Sequence, residues 1–304
     1  MKFCIILMLW LGGKTRLSSG SFADVYTIHI KQPPFKLAMK SIRNPGTFAA
    51  IARELEILLV LQPHELVVRY FGYSQQGNDD FCRVNLFFEQ VDGGSLSTVF
   101  PSDHHTIPGD VIRAIALQIN QGLAFIHKFN VFHRDIKPDN ILVTASGVCK
   151  LADFGLSKQV GGSRSQTHSG FLIGTTVYLS PEAIQTQRYS KSSDIWAMGC
   201  TFQWLLTGQN PYRTISRDMN MGDTLKQIEA VKTGQIHLPG PPWPENIDFP
   251  PSQAESYRNA CFTLNPIDRP KAGQLAEHQY FAQLSLEDQR SALKAIVASQ
   301  TRET

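Results

Sequence analysis

The feature that most constrains this chain is the run His133-Arg134-Asp135-Ile136-Lys137-Pro138-Asp139-Asn140, followed by Asp153-Phe154-Gly155. A His-Arg-Asp triplet alone usually caps a turn, and Asp-Phe-Gly alone is an ordinary Asx-turn. Here the two stand in order, joined by Ile141-Leu142-Val143 and Lys150-Leu151-Ala152, which read as short strands. Proton-accepting and metal-ligating side chains are thereby confined to one short stretch. Asp135 supplies a base and Lys137 a cation for phosphate oxygens, while Asn140 and Asp153 supply hard oxygen ligands of the kind Mg²⁺ takes.

The chain of 304 residues is 42% hydrophobic, enough for a large core and for one or two domains. A formal charge of +3 is small for this size, so neither a nucleic-acid footprint nor a polybasic membrane patch is expected. Cys4, Cys82, Cys149, Cys200 and Cys261 are odd in number and form no C-x-x-C pair. That argues against a disulfide framework and for a reducing compartment, the cytoplasm.

Lys2 followed by Phe3-Cys4-Ile5-Ile6-Leu7-Met8-Leu9-Trp10-Leu11 resembles the charged start and apolar middle of an export signal. The run is too short to span a bilayer. Cleavage near Ser18-Ser19-Gly20 would also cut into a phosphate-binding loop, so an N-terminal strand is the preferred reading.

From Leu17 to Val91 the pattern is strand-rich, with Val25–Ile28, Leu37–Lys40 and Val84–Phe88 set off by Gly, Pro, Asn or Asp. One helix interrupts it: Phe48, Ile51, Leu55, Leu58 and Leu59 recur at near-helical spacing, which puts Glu54 close to the buried stripe. After Asp92-Gly93-Gly94 the chain turns helical. Ile112, Ile115, Ile119, Leu123 and Ile126 trace one face of a long amphipathic segment, and a second buried helix runs from Asp194 through Leu206 to Gly208 and Pro211. A Pro-rich stretch from Gly234 to Pro251 reads as an ordered loop.

Together these residues resemble the eukaryotic protein-kinase family from about Trp10 to Phe281. The match includes Ala38-Met39-Lys40, Arg53-Glu54-Leu55, Gly174-Thr175, Ser180-Pro181-Glu182, Asp194 through Gly199, and Asn265 through Pro270. The resemblance implies an α+β, two-lobed fold: an antiparallel-sheet N-lobe with one helix (1–91), a mainly helical C-lobe (92–283) and a C-terminal tail (284–304). It implies transfer of the ATP γ-phosphate to protein hydroxyls, with Asp135 as base, Lys137 beside the transferring group, and Mg²⁺ held by Asn140 and Asp153. Lys40 would contact the nucleotide phosphates and pair with Glu54. Adenine would lie between the lobes against Leu17, Val25, Ala38 and Leu142, with Gly20 under the phosphates, Phe88 at the back, and backbone groups of Glu89 and Val91 as hydrogen-bond partners. Glu182 with Arg269, and Asp194 with the catalytic loop, would be scaffold contacts.

Lys137 and Thr175 resemble the serine/threonine branch. Trp10, Gly13, Leu17, Gly20-Ser21-Phe22, Gly93-Gly94-Ser95-Leu96 and Leu275 through Phe281 are similar to MAP kinase kinase kinases. The implied partners are protein substrates with Ser or Thr acceptors and an upstream kinase acting on the activation segment, with no nucleic acid and no membrane. Arg134 and Lys158 are two cations for a phosphate there; Thr167 and Ser169 are the first candidate acceptors, Ser163 and Ser165 the next.

One motif departs from the family. G-x-G-x-x-G appears as Ser18-Ser19-Gly20-Ser21-Phe22-Ala23, retaining the central glycine alone. Two rival readings follow: a pseudokinase scaffold with weakened nucleotide binding, and an exported or tethered kinase-like protein resting on the apolar N-terminus.

Overall fold

The structure, a computed structural model, describes residues 11–19, 23–31, 34–43, 48–61, 63–76, 83–101, 107–160, 166–168, 174–208, 230 and 251–300. The chain divides into two compact units at Asp92/Gly93.

Unit 1 is built on five antiparallel strands in the order β1-β2-β3-β5-β4: β1 (Leu11–Ser19), β2 (Ala23–Lys31), β3 (Pro34–Arg43), β4 (Tyr70–Gln76) and β5 (Arg83–Glu89). β4 has no counterpart in the sequence reading; its Tyr-Phe-Gly-Tyr-Ser-Gln-Gln lacks a clean alternation, and a bulge interrupts its pairing with β5 between Tyr70 and Gly72. The expected helix is α1 (Phe48–Val60), which buries Ile51, Ile57 and Leu58. Leu59, part of the expected buried stripe, is instead 68% exposed. At about 100° per residue, Ile57 and Leu58 flank the buried Glu54 within about 60° around the helix, whereas Leu59 lies about 140° from it.

Unit 2 is mainly helical. The short α2 (Leu96–Val99) is capped by Ser95 and precedes α3 (Gly109–Lys128), whose apolar face carries the buried Ile112, Ile115, Ile119, Leu123 and Ile126. Three two-stranded antiparallel ribbons follow: β6 (Val131–Phe132) with β9 (Lys158–Gln159), β7 (Ile141–Val143) with β8 (Cys149–Leu151), and β10 (Gln166–His168) with β11 (Arg188–Ser190). Unit 2 also contains α4 (Pro181–Thr186), α5 (Lys191–Thr207), α6 (Pro251–Cys261), α7 (Ala272–Ala276) and α8 (Leu286–Gln300). α5 begins at a Ser190 capping box and ends at Gly208, whose φ of 69° is the left-handed cap that glycine adopts without a Cβ penalty.

The core of unit 2 joins α5 to α6 and to the turn Gln279–Phe281 after α7 through Phe202, Tyr257, Tyr280 and Phe281. Their rings meet edge-on, tilted or stacked at centroid distances of 4.9–5.7 Å. Asn120 of α3 donates to the Tyr257 hydroxyl at 2.7 Å. The segment read as a separate tail belongs to this unit, because α8 packs on α3 and buries Leu293 and Val297. The Pro-rich stretch from Gly234 to its last residues before Pro251, and the N-terminal run before Leu11, lie outside the described residues. No described helix is long and apolar enough to cross a membrane.

Candidate active site

In unit 2 the loop after β6 is forced into an unusual path. Arg134 has φ 66°, a left-handed conformation that costs a non-glycine residue energy and persists only where its surroundings over-determine it. Asp194, from the first turn of α5 and 1% exposed, provides that constraint. Its Oδ2 accepts from the His133 N–H at 2.9 Å and faces His127 Nε2 at 2.8 Å, while Oδ1 accepts from the Arg134 N–H at 2.8 Å. Burial by itself would raise the Asp194 carboxyl. The hydrogen bond and charge of His127, the charge of His133 and the Arg134 N–H outweigh burial and hold it below the usual range.

His133 is fully buried, and burial is the leading cause of its lowered pKa, opposed by the charges of Asp194 and Asp135. Nε2 lies 3.0 Å from the Ala152 carbonyl, which only accepts, so the proton resides on Nε2. The ring also packs on Phe154 at 5.0 Å. His133 thus ties the loop to the strand end that leads into Asp153.

With the loop so held, four side chains converge. Asp135 Oδ1 accepts from both the backbone N–H and the hydroxyl of Thr175, each at 2.9 Å. Its Oδ2 receives Asn140 Nδ2 at 2.8 Å and Lys137 Nζ at 2.9 Å, and Lys137 Nζ also donates to Thr175 Oγ1 at 2.7 Å. Lys137 is extended (φ −163°, ψ 165°) before the 3₁₀ turn Pro138–Asn140, which reverses the chain and returns Asn140 to Asp135. Thr175 reaches the site because Gly174 has φ 99°; a Cβ there would stand 2.4 Å from the Arg134 carbonyl oxygen.

Asp153 is exposed and left-handed (φ 59°), and its Oδ1 accepts from the Gly155 N–H at 3.3 Å. Both hydrogen bonds described for the Asn140 side chain use Nδ2, which leaves its oxygen outside that network. Among the described residues no group of three or more His, Cys, Asp or Glu could hold a metal. A cation at Asn140 and Asp153 would therefore need phosphate oxygens and water to complete its shell, which is how Mg²⁺ commonly binds beside a nucleotide.

Unit 1 holds the other expected pair: Lys40 of β3 donates to Glu54 of α1 at 3.1 Å, with Glu54 6% exposed. Val25 stands opposite Lys40 in the β2–β3 register, and Ala38 stands opposite Phe88 in the β3–β5 register. Leu17 lies exposed on β1, and Val91 is buried. The Glu89 N–H is taken by the Arg69 carbonyl at 2.9 Å, so Glu89 could offer an adenine its carbonyl but not its N–H. Gly20 lies outside the described residues. Leu142 belongs to unit 2, half-buried on β7.

Arg134, one of the two cations expected to take a phosphate, makes backbone contacts within unit 2. Its Nε donates to the Leu156 carbonyl at 2.6 Å, Nη2 to that of Ser157 at 3.4 Å, and its guanidinium lies 5.7 Å from the Tyr189 ring centroid. Lys158 pairs with Phe132 in the β6–β9 ribbon, and Thr167 pairs with Tyr189 in the β10–β11 ribbon. Ser163, Ser165 and Ser169 lie outside the described residues. Below the loop, Arg269 donates to both Glu182 oxygens at 2.8 and 3.1 Å and to the carbonyls of Ser192 and Thr263. Sequence reasoning missed His127: a basic residue in the last turn of a helix is common for dipole reasons, and nothing in the sequence marked its contact with Asp194.

A family profile described as protein kinase domain matches residues 13–281. The chain belongs to the protein kinase family, whose members generally use ATP and Mg²⁺. It is 32% identical over 285 residues to mitogen-activated protein kinase kinase kinase A of Dictyostelium discoideum, covering 90% of this chain and 28% of that protein. Identity to mitogen-activated protein kinase kinase kinase 5 of Arabidopsis thaliana is 30% over 285 residues, covering 89% of this chain and 36% of the relative. Against mitogen-activated protein kinase kinase 1 of Arabidopsis thaliana it is 31% over 268 residues, covering 87% and 72%. The chain thus spans about a third of the first two relatives and most of the third.

Proposed function

We propose that this chain is the catalytic domain of a serine/threonine protein kinase that phosphorylates another protein in a kinase cascade. The observation that carries it is the convergence of Asp135, Lys137, Asn140 and Thr175 within 2.7–2.9 Å hydrogen bonds. A bound Mg-ATP supplies the γ-phosphoryl group and part of the compensation for its charge. Asp135 orients the acceptor hydroxyl and takes its proton as the new O–P bond forms and the bond to the β,γ-bridging oxygen breaks. Lys137 balances charge on the transferring group, and Thr175 holds both Asp135 and Lys137 in place. Asn140 and Asp153 would hold the metal through oxygens, and Lys40, fixed by Glu54, would hold nucleotide phosphates. The acceptor protein would be a MAP kinase kinase, in keeping with the names of the relatives, and an upstream kinase would act at Thr167. A cytoplasmic site of action suits the free, buried Cys149, Cys200 and Cys261.

The test is radiolabelled phosphate transfer to a generic basic protein with and without Mg²⁺, comparing wild type with Asp135→Asn. Loss of the base should lower kcat by about 10²–10⁴-fold with the KM for ATP within about twofold. Near wild-type turnover by the purified variant would remove Asp135 from the role of base.

A further inference from the structure

The segment Glu89-Gln90-Val91, at the end of β5, is fastened to unit 1 on two sides. On the β4 side the Glu89 N–H donates to the Arg69 carbonyl at 2.9 Å, and the Glu89 carboxylate accepts from the Arg69 N–H at 2.7 Å. On the other side Gln90 Oε1 accepts from the hydroxyl of Thr27, 63 residues away on β2, at 3.1 Å. β2 and β5 are separated by β3. Two strand spacings amount to about 10 Å, at about 4.8 Å each, so the Gln90 side chain turns back over the sheet to make this bond. Thr27 is 7% exposed, which leaves solvent little access to replace the bond. Side chains alternate along a strand, so Thr27 shares its face with Val25, and the register sets Thr27 opposite Ala38 and Val25 opposite Lys40. The tie from Gln90 therefore ends on the face of the sheet that carries Val25, Ala38 and Lys40.

These contacts also limit what the segment's backbone can offer a base. With its N–H taken by Arg69, Glu89 offers a carbonyl; Gln90 Nε2 faces the Val91 carbonyl at 3.5 Å, the far limit of a hydrogen bond, and Val91 offers its N–H. An acceptor followed by a donor matches the edge of adenine, which presents an amino group beside a ring-nitrogen acceptor. Guanine presents the reverse, a carbonyl beside a ring N–H. We infer that Gln90, held by Thr27, is a positioning residue that fixes the peptide planes of Glu89 and Val91 and so sets selectivity for adenine over guanine nucleotides. This inference rests on the kinase reading above. Once the tie is cut, the peptides on either side of Gln90 can rotate; adenine then loses alignment at both hydrogen bonds, whereas guanine, which matched neither, loses less.

Thr27→Val keeps the side chain's shape and removes the hydroxyl, Gln90→Met keeps the length and removes the acceptor, and Thr27→Ser retains the hydroxyl. The full chain is assayed for Mg-ATP affinity by calorimetry, and for kcat and KM with Mg-ATP and with Mg-GTP by transfer of radiolabelled γ-phosphate. Thr27→Val and Gln90→Met should each weaken Mg-ATP binding and raise its KM by about three- to tenfold, the net worth of one hydrogen bond. In both variants kcat should stay within about twofold of wild type, and kcat/KM for Mg-GTP should fall by less than about twofold. The double variant should bind Mg-ATP no more weakly than either single one, because both remove the same bond. Thr27→Ser should behave as wild type. A bond that merely stabilised the sheet would lower the melting temperature and leave the ratio of kcat/KM for the two nucleotides unchanged. The positioning role is overturned if both single variants bind Mg-ATP as tightly as wild type, or if kcat/KM falls in the same proportion for ATP and GTP. Wild type that binds no Mg-ATP overturns the kinase reading and this inference with it, a result distinct from wild type and variants binding equally well, which overturns the inference alone.

Discussion

Replacing Asp194 by Asn preserves the side chain's shape while removing its charge and one acceptor. In the folded protein the carboxylate accepts from two backbone N–H groups at 2.8 and 2.9 Å and faces His127 at 2.8 Å. An amide can serve only one of those N–H groups and turns a donor towards the other. The loss is one charge-assisted hydrogen bond, about 1.5–3 kcal/mol, plus a buried unpaired donor, about 1–3 kcal/mol. Some relaxation leaves about 3–5 kcal/mol, in line with breaking a buried ionic contact. With a urea dependence of about 3 kcal/mol per M, the unfolding midpoint should fall by about 1–1.7 M. Because the folded Asp194 pKa is depressed below an unfolded value of about 3.9, its contribution is fully present above that value and lost as pH falls through the folded pKa. Wild type should therefore lose stability more steeply with acid than Asp194→Asn. Urea unfolding across pH 2–7 reads both effects; a loss under about 1 kcal/mol at neutral pH, with parallel acid limbs, would refute the bridging role.

Asp153→Ala should lose Mg²⁺-dependent nucleotide binding; equal Mg-ATP stabilisation of wild type and variant in a thermal-shift assay would contradict the metal role. Gly174→Ala combines a φ of 99° with a Cβ 2.4 Å from the Arg134 carbonyl, so Thr175 should be displaced from Asp135 and kcat should fall by about 10²-fold or more; unchanged turnover would show that the contact is not needed. Ala23→Gly restores a family glycine at the start of β2 and should lower the KM for ATP with a smaller effect on kcat, read by steady-state kinetics at varied ATP. An unchanged or raised KM would mean that Ala23 already fits.

The legible parts of the fold were those with strong local periodicity. α3 and α5 could be read from apolar spacing, and two short strands from Ile141–Val143 and Lys150–Ala152, the second lying one residue earlier in the structure, at Cys149–Leu151, where it pairs with the first. β4 was hidden because its irregular pattern and bulge break the alternation that marks a strand. The docking of α8 on α3 was hidden for a different reason: a helix that is polar on most of its surface needs only a narrow stripe, here including Leu293 and Val297, to join a core. At the site, the identities of Asp135, Lys137, Asn140, Asp153 and Thr175 stood in the sequence, whereas the engagement of Arg134 by the carbonyls of Leu156 and Ser157 did not.

By itself the sequence determined which chemical groups this protein carries and in what order, because a carboxylate, an ammonium or an amide keeps its chemistry wherever the chain places it. Tertiary structure alone decided which of them meet. Asp194 lies 60 residues from Arg134 and Thr175 lies 40 residues from Asp135, yet each pair is held at 2.8–2.9 Å. Contacts that distant in sequence form only when buried helices and strands have fixed the backbone, since an unfolded chain gives no single hydrogen bond enough free energy to offset the entropy of closing such a loop.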